Sequence, residues 1–256
     1  MTSLQFQIFS SFRTEFQDYC RKLNEQYGDM LRPLQIQAAQ KDTSEYPLET
    51  PIVYNTDLDQ ISKDSEIKLI VIGDNPGKDE QRKANQKYLV GQSGKIATSF
   101  FLKTPEFQID FRKNVIILNK TPIHTAKTKH LNSVAKNGGK EIQKLITDSQ
   151  IFMAQKTAKL HIDLCASADH TQKPIGLWLV GYSELKNNAI FAQYRNYLMQ
   201  YYKNAKSDWE NVFVFQHFSM NRFSIDLKKF MENNGITSVL EAARLLGHSH
   251  KNEIFF

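Results

Sequence analysis

Three polar side chains, Asn75, Asn119 and His217, each follow an apolar run of the sequence. Asn75 lies in the loop GDNPG after the run IKLIVI, Asn119 follows VIIL, and His217 follows VFVFQ. An amide can hold a water molecule or a polar edge of a substrate, although it cannot take a proton. An imidazole can donate a hydrogen bond to developing negative charge. If the apolar runs are neighbouring parallel strands, these residues predict one converging site.

Each of these residues also has an ordinary structural interpretation. Pro76 fixes its own φ and biases Asn75 toward extended geometry, which would aim the amide. Asp74 or Asn75 could equally satisfy backbone amides in an Asx-type turn. Asn119 could cap the end of its strand, and His217 could cap the turn that follows. The sequence alone leaves these alternatives open.

The motifs of common cofactor sites are absent from the chain. It contains neither the phosphate loop GxxxxGK[ST] nor the dinucleotide fingerprint GxGxxG. Its histidines show no HExxH pairing, and its two cysteines, Cys20 and Cys165, cannot supply a four-cysteine metal or iron–sulfur site. We therefore expect no cofactor, no metal ion and a reduced, cytoplasmic chain.

The elements that must position these residues alternate between strands and helices. This alternation predicts a three-layer α/β/α sandwich with a mainly parallel central sheet, whose strands deliver side chains to one carboxyl edge. We see no internal repeat and no low-complexity linker, so we expect one domain over 1–256. Strands are predicted within 67–77, at 114–119, 176–183 and 212–216, with a short extended piece at 51–55. Helices are predicted at 4–30, from about 93, at 140–168, 186–204, 224–234 and 237–246.

Charge permits a nucleic-acid partner without requiring one. Lys and Arg number 33 against 27 Asp and Glu, which gives a net charge of +6. Lysines in the segments 78–95 and 120–140 flank the predicted site, where they would neutralise phosphates or form ordinary solvated surface. No segment approaches 18 apolar residues and the N-terminus lacks a signal-peptide pattern, which excludes a membrane-spanning helix.

Four motifs, in this order and spacing, resemble the uracil-DNA glycosylase superfamily: GDNPG, YLVGQSG, VIILNKTP and HFSMNR. GDNPG is similar to the water-activating motif of the mismatch-specific and single-strand-selective branches, and YLVGQSG to a segment of the branch that carries an iron–sulfur cluster. VIILN is similar to the strand end at which an Asn reads uracil, and HFSMNR to the loop that ends the last strand. The resemblance covers about 67–233 and implies a uracil-DNA glycosylase-like form of the α/β/α fold.

The resemblance also implies roles for individual residues. Asn75 would orient the attacking water, and His217 would stabilise charge on the departing base. Asn119 would pair with the edge of the base, and the base-binding set would also include Asp74, with Tyr88 or Leu89 in the stacking position. The DNA-binding set would comprise Pro76, Gly77, Gly91, Ser93, Ser219, Met220, Asn221 and Arg222, the last three entering the duplex.

The implied activity is that of a monofunctional DNA glycosylase in base-excision repair. It would hydrolyse the N-glycosidic bond of uracil, or of a related deaminated base flipped out of DNA, and would act as a monomer without an iron–sulfur cluster. Phe218 replaces the Pro of the related HPS loop, and Asn75 stands where an Asp would give faster chemistry. These departures favour the alternative of a non-catalytic or weakly active nucleic-acid-binding member of the same fold. A third interpretation is an enzyme that acts on free nucleosides, which would need no loop to enter a duplex.

Overall fold

The computed structural model describes residues 1–256 and shows an α/β fold on a four-stranded, all-parallel sheet. The strands are β1 (Leu69–Gly73), β2 (Val115–Asn119), β3 (Gly176–Val180) and β4 (Val212–Phe215), in the order β2-β1-β3-β4. The chain leaves β1 toward β2 on one side and returns to β3 on the other. The carboxyl ends of β1 and β3 therefore flank the crevice in which open α/β sheets bind their ligands.

Both faces of this sheet are covered. Every residue of β1 and β2 is buried, and both strands are rich in Ile, Leu and Val. Such continuous apolar runs are typical of parallel strands with helices on each face. The sequence prediction of a parallel sheet is thus confirmed.

Eight helices surround the sheet. The helices α1, α3 and α4 pack on one another, α5 packs on α4, and α8 packs on β4 and on α7, which is consistent with a three-layer arrangement. None of them is both long enough and apolar enough to cross a membrane. Their bounds are α1 Ser3–Gln40, α2 Gln92–Lys103, α3 His130–Asn137, α4 Gly139–Ala166, α5 Ala192–Tyr201, α6 Lys206–Trp209, α7 Arg222–Asn234 and α8 Val239–Phe255.

Helix α1 is longer than predicted. The sequence prediction ended it near residue 30 because a proline-containing stretch follows, but the helix continues through Pro33. Gln35, in the last two turns, is buried, and its Nε2 donates to the carbonyls of Pro51 at 2.9 Å and His124 at 2.8 Å. These tertiary bonds stabilise the end of the helix against the loss of one backbone hydrogen bond at the proline.

Four other predicted elements differ from the structure. The segment 120–140, predicted as a loop, contains α3, which a pair of glycines separates from α4. The Tyr-rich segment 186–204 is a helix only over 192–201, and α8 extends to Phe255. The extended piece at 51–55 makes only an isolated bridge, between Ile52 and Ile123. In each case tertiary packing overrides a weak local signal.

An aromatic cluster anchors the helices that border the carboxyl edge of the sheet. The ring of Trp178 in β3 lies 5.5 Å from that of Phe101 in α2 and 5.7 Å from that of Phe223 in α7. These residues belong to one hydrophobic cluster that extends from Phe9 to Phe255. Both helices are therefore fixed to the sheet by the same core.

Candidate functional site

A polar cavity of about 330 Å³ opens at the carboxyl ends of the four strands. Its volume falls within the range of small-molecule sites, roughly 300–1,000 Å³. Only two of its lining residues, Leu89 and Ala126, are hydrophobic. Most of the predicted site residues line it, namely Asp74, Asn75, Gly77, Leu89, Ser93, Asn119, His217, Ser219 and Arg222.

The amide of Asn75 is held by its nitrogen. Nδ2 donates to the hydroxyl of Thr125 at 2.9 Å and to the carbonyls of Ile123 at 3.3 Å and Pro76 at 3.4 Å. No protein group donates to Oδ1, which is therefore the free polar atom of this side chain. An amide fixed in this way presents an acceptor to water in the cavity.

A buried histidine holds the loop that carries Asn75. Nδ1 of His124 donates to the carbonyl of Pro76 at 2.8 Å, so its Nε2 is left to accept from the hydroxyl of Tyr46, also at 2.8 Å. Burial lowers the pKa of His124 to about 4, so the ring is neutral at neutral pH. Pro76 is itself buried and lies outside the cavity lining, and its contact with DNA phosphate stays a prediction.

Asn119 presents an uncommitted amide. The residue is 2% exposed, its Nδ2 has no hydrogen-bond partner, and no protein group donates to its Oδ1. An unsatisfied buried group costs about 1–3 kcal/mol, a cost that a bound ligand with matching groups would remove. The neighbouring Gly73 on β1 leaves room for this amide, since a Cβ there would collide with Oδ1 of Asn119 in its present position.

His217 is held by its Nδ1. This atom accepts a hydrogen bond from the backbone N–H of Ser219 at 3.0 Å, which places the ring proton on Nε2. Burial lowers the pKa of His217 below its usual value, an effect that the Asp74 carboxylate opposes. The side chain is therefore a neutral imidazole whose Nε2–H is a free donor in the cavity.

A buried ion pair joins the ends of three strands beneath the cavity. Nζ of Lys120 is fully buried and donates to Oδ1 of Asp74 and to the carbonyl of Val180, each at 2.6 Å. Burial lowers the pKa of Lys120, and Asp74 opposes this shift. Gly181 has a φ of +97°, and a Cβ there would collide with the Asp74 carboxylate. The pair thus fixes Asp74 at the junction of β1, β2 and β3.

A second carboxyl group connects two loops of the cavity wall. Oε2 of Glu80 accepts from the N–H of Gly77 at 2.9 Å, and its Oε1 accepts from the N–H of Leu89 at 2.8 Å. Burial raises the pKa of Glu80 to about 7, and the two N–H donors oppose this rise. Arg112 holds the same wall, since its guanidinium donates to the carbonyls of Tyr88 and Leu89.

The two residues predicted for base stacking, Tyr88 and Leu89, lie in different places: only Leu89 lines the cavity. Leu89 lines the cavity with a φ of +52°, in the left-handed region that a branched residue rarely adopts. Tyr88 is fully buried outside the cavity, and its hydroxyl donates to the carbonyl of Val53 at 2.5 Å. The prediction that Tyr88 contacts the base is therefore wrong, because the loop turns this ring into the core.

The remaining predicted DNA contacts lie outside the cavity. Gly91 is the N-cap residue of α2. Met220 and Asn221 are exposed at the rim, with φ values of +55° and +57°. Phe218, the replacement for Pro in the related loop, is fully buried with its ring 5.0 Å from that of Phe223. This ring anchors the loop 219–222 to the aromatic cluster.

Most of the basic groups nearest the cavity in the segment 120–140 are paired with Asp42. Lys127 lies 3.1 Å and His130 2.8 Å from its carboxylate, and Lys129 contacts it as well. These partners hold the pKa of Asp42 well below its usual value, Lys129 most strongly. The phosphate-binding role predicted for this segment is thus weakened near the site.

Sequence reasoning missed several residues that build the site. Lys120 lies within the motif VIILNKTP, but its type gives no sign that it is buried. His124, Thr125 and Glu80 act on the two loops through tertiary contacts that no local pattern marks. No group of three His, Cys, Asp or Glu side chains is placed to hold a metal ion.

Comparisons of this chain with protein-family models, with curated proteins and with solved structures each returned no match.

Proposed function

We propose that this chain is a DNA glycosylase that hydrolyses the N-glycosidic bond of uracil, or of a related deaminated base, flipped out of DNA. One observation carries the proposal. Asn75, Asn119 and His217 line a single cavity, and each retains a free polar group there: an acceptor, an entire amide and an N–H donor. These are the groups that would orient water, read a base and stabilise a leaving anion.

In the proposed reaction, the base departs with the electron pair of the C1′–N bond, and the sugar becomes oxocarbenium-like. The Nε2–H of His217 donates to the oxygen on which the negative charge develops. A preorganised donor of this kind contributes about 2.7–4 kcal/mol to lowering the barrier. Because the imidazole is neutral, it stabilises this charge by a hydrogen bond and keeps its proton.

Asn75 acts on the other side of the sugar. Its Oδ1 accepts a hydrogen bond from a water molecule whose oxygen forms the new bond to C1′. The amide cannot take a proton, so the surplus proton passes to the departing base or to solvent. This side chain is therefore a positioning group for water, which implies slower turnover than a carboxylate would give.

Base recognition rests on the free amide of Asn119. An amide donates and accepts in one plane, which matches the adjacent carbonyl and N–H of uracil. In Asn119→Asp the amide donor is replaced by an acceptor, so we expect the preference for uracil to fall by at least tenfold relative to other bases. An assay of base release from oligonucleotides that carry different deaminated bases measures this preference. An unchanged preference would contradict the role of Asn119.

The test of the proposed activity is incubation of the pure protein with a uracil-containing oligonucleotide, followed by alkali. We expect strand breaks that fall about 100-fold or more in rate in Asn75→Ala and His217→Ala. Asn132→Ala and His170→Ala are the matched controls, since both residues are exposed and lie outside the cavity. Breaks that persist in Asn75→Ala and His217→Ala would contradict the assigned roles.

The same assay separates the alternatives. The absence of a general base at Asn75 favours a weakly active or non-catalytic DNA-binding protein as the second candidate. Binding of the oligonucleotide without strand breaks would support that candidate. Release of base from free nucleosides without DNA binding would support a nucleoside hydrolase.

A further inference from the structure

A groove of about 560 Å³ lies beside the cavity, between α2 and the start of α7. Its lining contains Lys95, Ser99 and Lys103 from α2 together with Asn221 and Ser224. No Asp or Glu side chain lines it. Ile96 and Phe100 also line the groove. Its polar groups, namely two exposed lysines with hydroxyl and amide groups and no carboxylate, are complementary to a polyanion.

The lysines of this groove differ from others near the site. Lys127 and Lys129 are paired with Asp42, and Lys87 lies 2.8 Å from Asp57. Lys95 and Lys103 have no carboxylate within ion-pairing distance. Lys95 and Lys103 therefore carry unneutralised positive charge on α2, beside Arg222 of the cavity lining, which also forms no ion pair.

The spacing of these groups fits a nucleic-acid backbone. Lys95, Ser99 and Lys103 are four residues apart, so they share one face of α2 over about 12 Å. This length corresponds to the axial rise of about three to four nucleotides in one DNA strand.

The loop 219–222 separates the groove from the cavity. Ser219 and Arg222 line the cavity, whereas Asn221 lines the groove. If this loop enters a duplex where a nucleotide has left the stack, the flipped strand lies on the cavity side. The groove then faces the complementary strand.

We propose that the groove between α2 and α7 binds the sugar–phosphate backbone of the complementary strand, so that the preferred substrate is double-stranded DNA. This inference rests on the proposed function, because it takes the cavity as the place of the flipped nucleotide. Lys95 and Lys103 supply the charge, and Ser99 and Asn221 supply neutral hydrogen-bonding groups. Phosphate contacts of this kind carry no sequence information, so the groove sets strand preference and leaves base preference to the cavity.

The test compares the double variant K95A/K103A with the control K22A/K173A. Lys22 on α1 and Lys173 before β3 are exposed, form no ion pair and lie outside both cavity and groove, so each double variant loses two charges. Equilibrium binding is measured on a duplex that carries a stable abasic-site analogue, and on that strand alone. Neither ligand requires the protein to be active.

For K95A/K103A we expect about tenfold weaker binding to the duplex and less than about twofold to the single strand. For the duplex, the slope of the logarithm of the association constant against the logarithm of the salt concentration should become less negative by about 1.8, as for the loss of two phosphate contacts. Duplex binding equal to that of the control would overturn the proposal. Equal weakening on both ligands would also overturn it.

These outcomes are independent of the proposed chemistry. If the wild-type protein releases uracil but K95A/K103A binds the duplex like the control, the groove inference alone fails. If no uracil is released but the variant shows the expected loss of duplex binding, the groove inference stands and the catalytic proposal fails.

Discussion

The inner wall of the cavity and the loop at its rim are built in opposite ways. On the inner wall, Asp74, Asn75 and Glu80 each have two or more hydrogen bonds to protein groups. On the rim, Met220 is 74% exposed, and its sulfur accepts one hydrogen bond, from Arg222 at 3.8 Å. The inner wall is therefore fixed before any substrate arrives, whereas the rim loop is held by its backbone and by Phe218, and the side chain of Met220 stays exposed.

The difference follows from the cost of burying polar groups. A buried carboxylate or ammonium is tolerated only when it is paired and hydrogen-bonded, so the inner wall must satisfy almost every polar atom. Among the buried side chains of the wall, Asn119 is the exception, because its Nδ2 has no partner, and this amide is the group that we assign to the base. Exposed residues at the rim carry no such requirement. Substitutions in the wall should thus change stability or turnover, and those at the rim should change only the use of duplex DNA.

The largest effect is expected for Lys120→Met. This change leaves Asp74 buried without its partner and should lower the free energy of unfolding by about 3–5 kcal/mol in urea titrations. Lys127→Met is the control, since its partner Asp42 is partly exposed and screened by solvent, so the loss of stability should be much smaller. Adding Asp74→Asn to Lys120→Met should recover part of the loss. A loss of less than about 1 kcal/mol for Lys120→Met would refute the claim that the buried ion pair fixes the inner wall.

A pH-dependent effect is expected for Glu80→Gln. The folded state raises the pKa of Glu80 from its usual 4.5 to about 7, so its contribution to stability is greatest below pH 4.5 and is lost as the pH rises through 7. The stability of the wild type relative to Glu80→Gln should therefore fall by about 3 kcal/mol between pH 4.5 and 8. Chemical denaturation across this pH range measures the difference in unfolding free energy. Glu106→Gln is the control, since Glu106 is exposed. A difference that stays constant or grows with pH would contradict the assignment.

A smaller effect on turnover is expected for Thr125→Val. Asn75 would lose its shortest hydrogen bond and keep two longer ones, at 3.3 and 3.4 Å. We expect kcat on a uracil oligonucleotide to fall about tenfold with KM within twofold, as for the loss of one net hydrogen bond of about 1.4 kcal/mol. Thr147→Val, half-buried on α4 and outside the cavity, should behave as wild type. A change confined to KM would show that Asn75 does not position the water.

The smallest effect is expected at the rim, for Arg222→Ala. We expect kcat/KM on double-stranded substrate to fall about threefold to fivefold, with activity on single strands unchanged, since a loop that enters the duplex matters only there. Arg244→Ala on α8 serves as the control. Equal losses on both substrates would argue against insertion of the loop.

The sequence predicted the parts of this molecule that depend on local pattern. The apolar runs predicted the parallel strands. The polar residues that follow three of these runs predicted that Asn75, Asn119 and His217 meet at the carboxyl edge of the sheet. Sequence reasoning could not find Lys120 or Glu80, because only the tertiary structure decides whether a charged side chain is buried. It also allowed Tyr88 the stacking position against the base. The positive φ of Leu89, with which the loop turns the Tyr88 ring into the core, is not visible in the residue types.

A crystal structure of Asn75→Ala bound to a uracil-containing duplex would test the central claim most directly. This variant keeps the base-reading amide and the imidazole while slowing the chemistry. We predict that the uracil ring occupies the cavity, with its edge in hydrogen-bonding distance of the Asn119 amide and a carbonyl oxygen facing Nε2 of His217. A uracil that remains stacked in the duplex, or that binds elsewhere on the protein, would contradict the account.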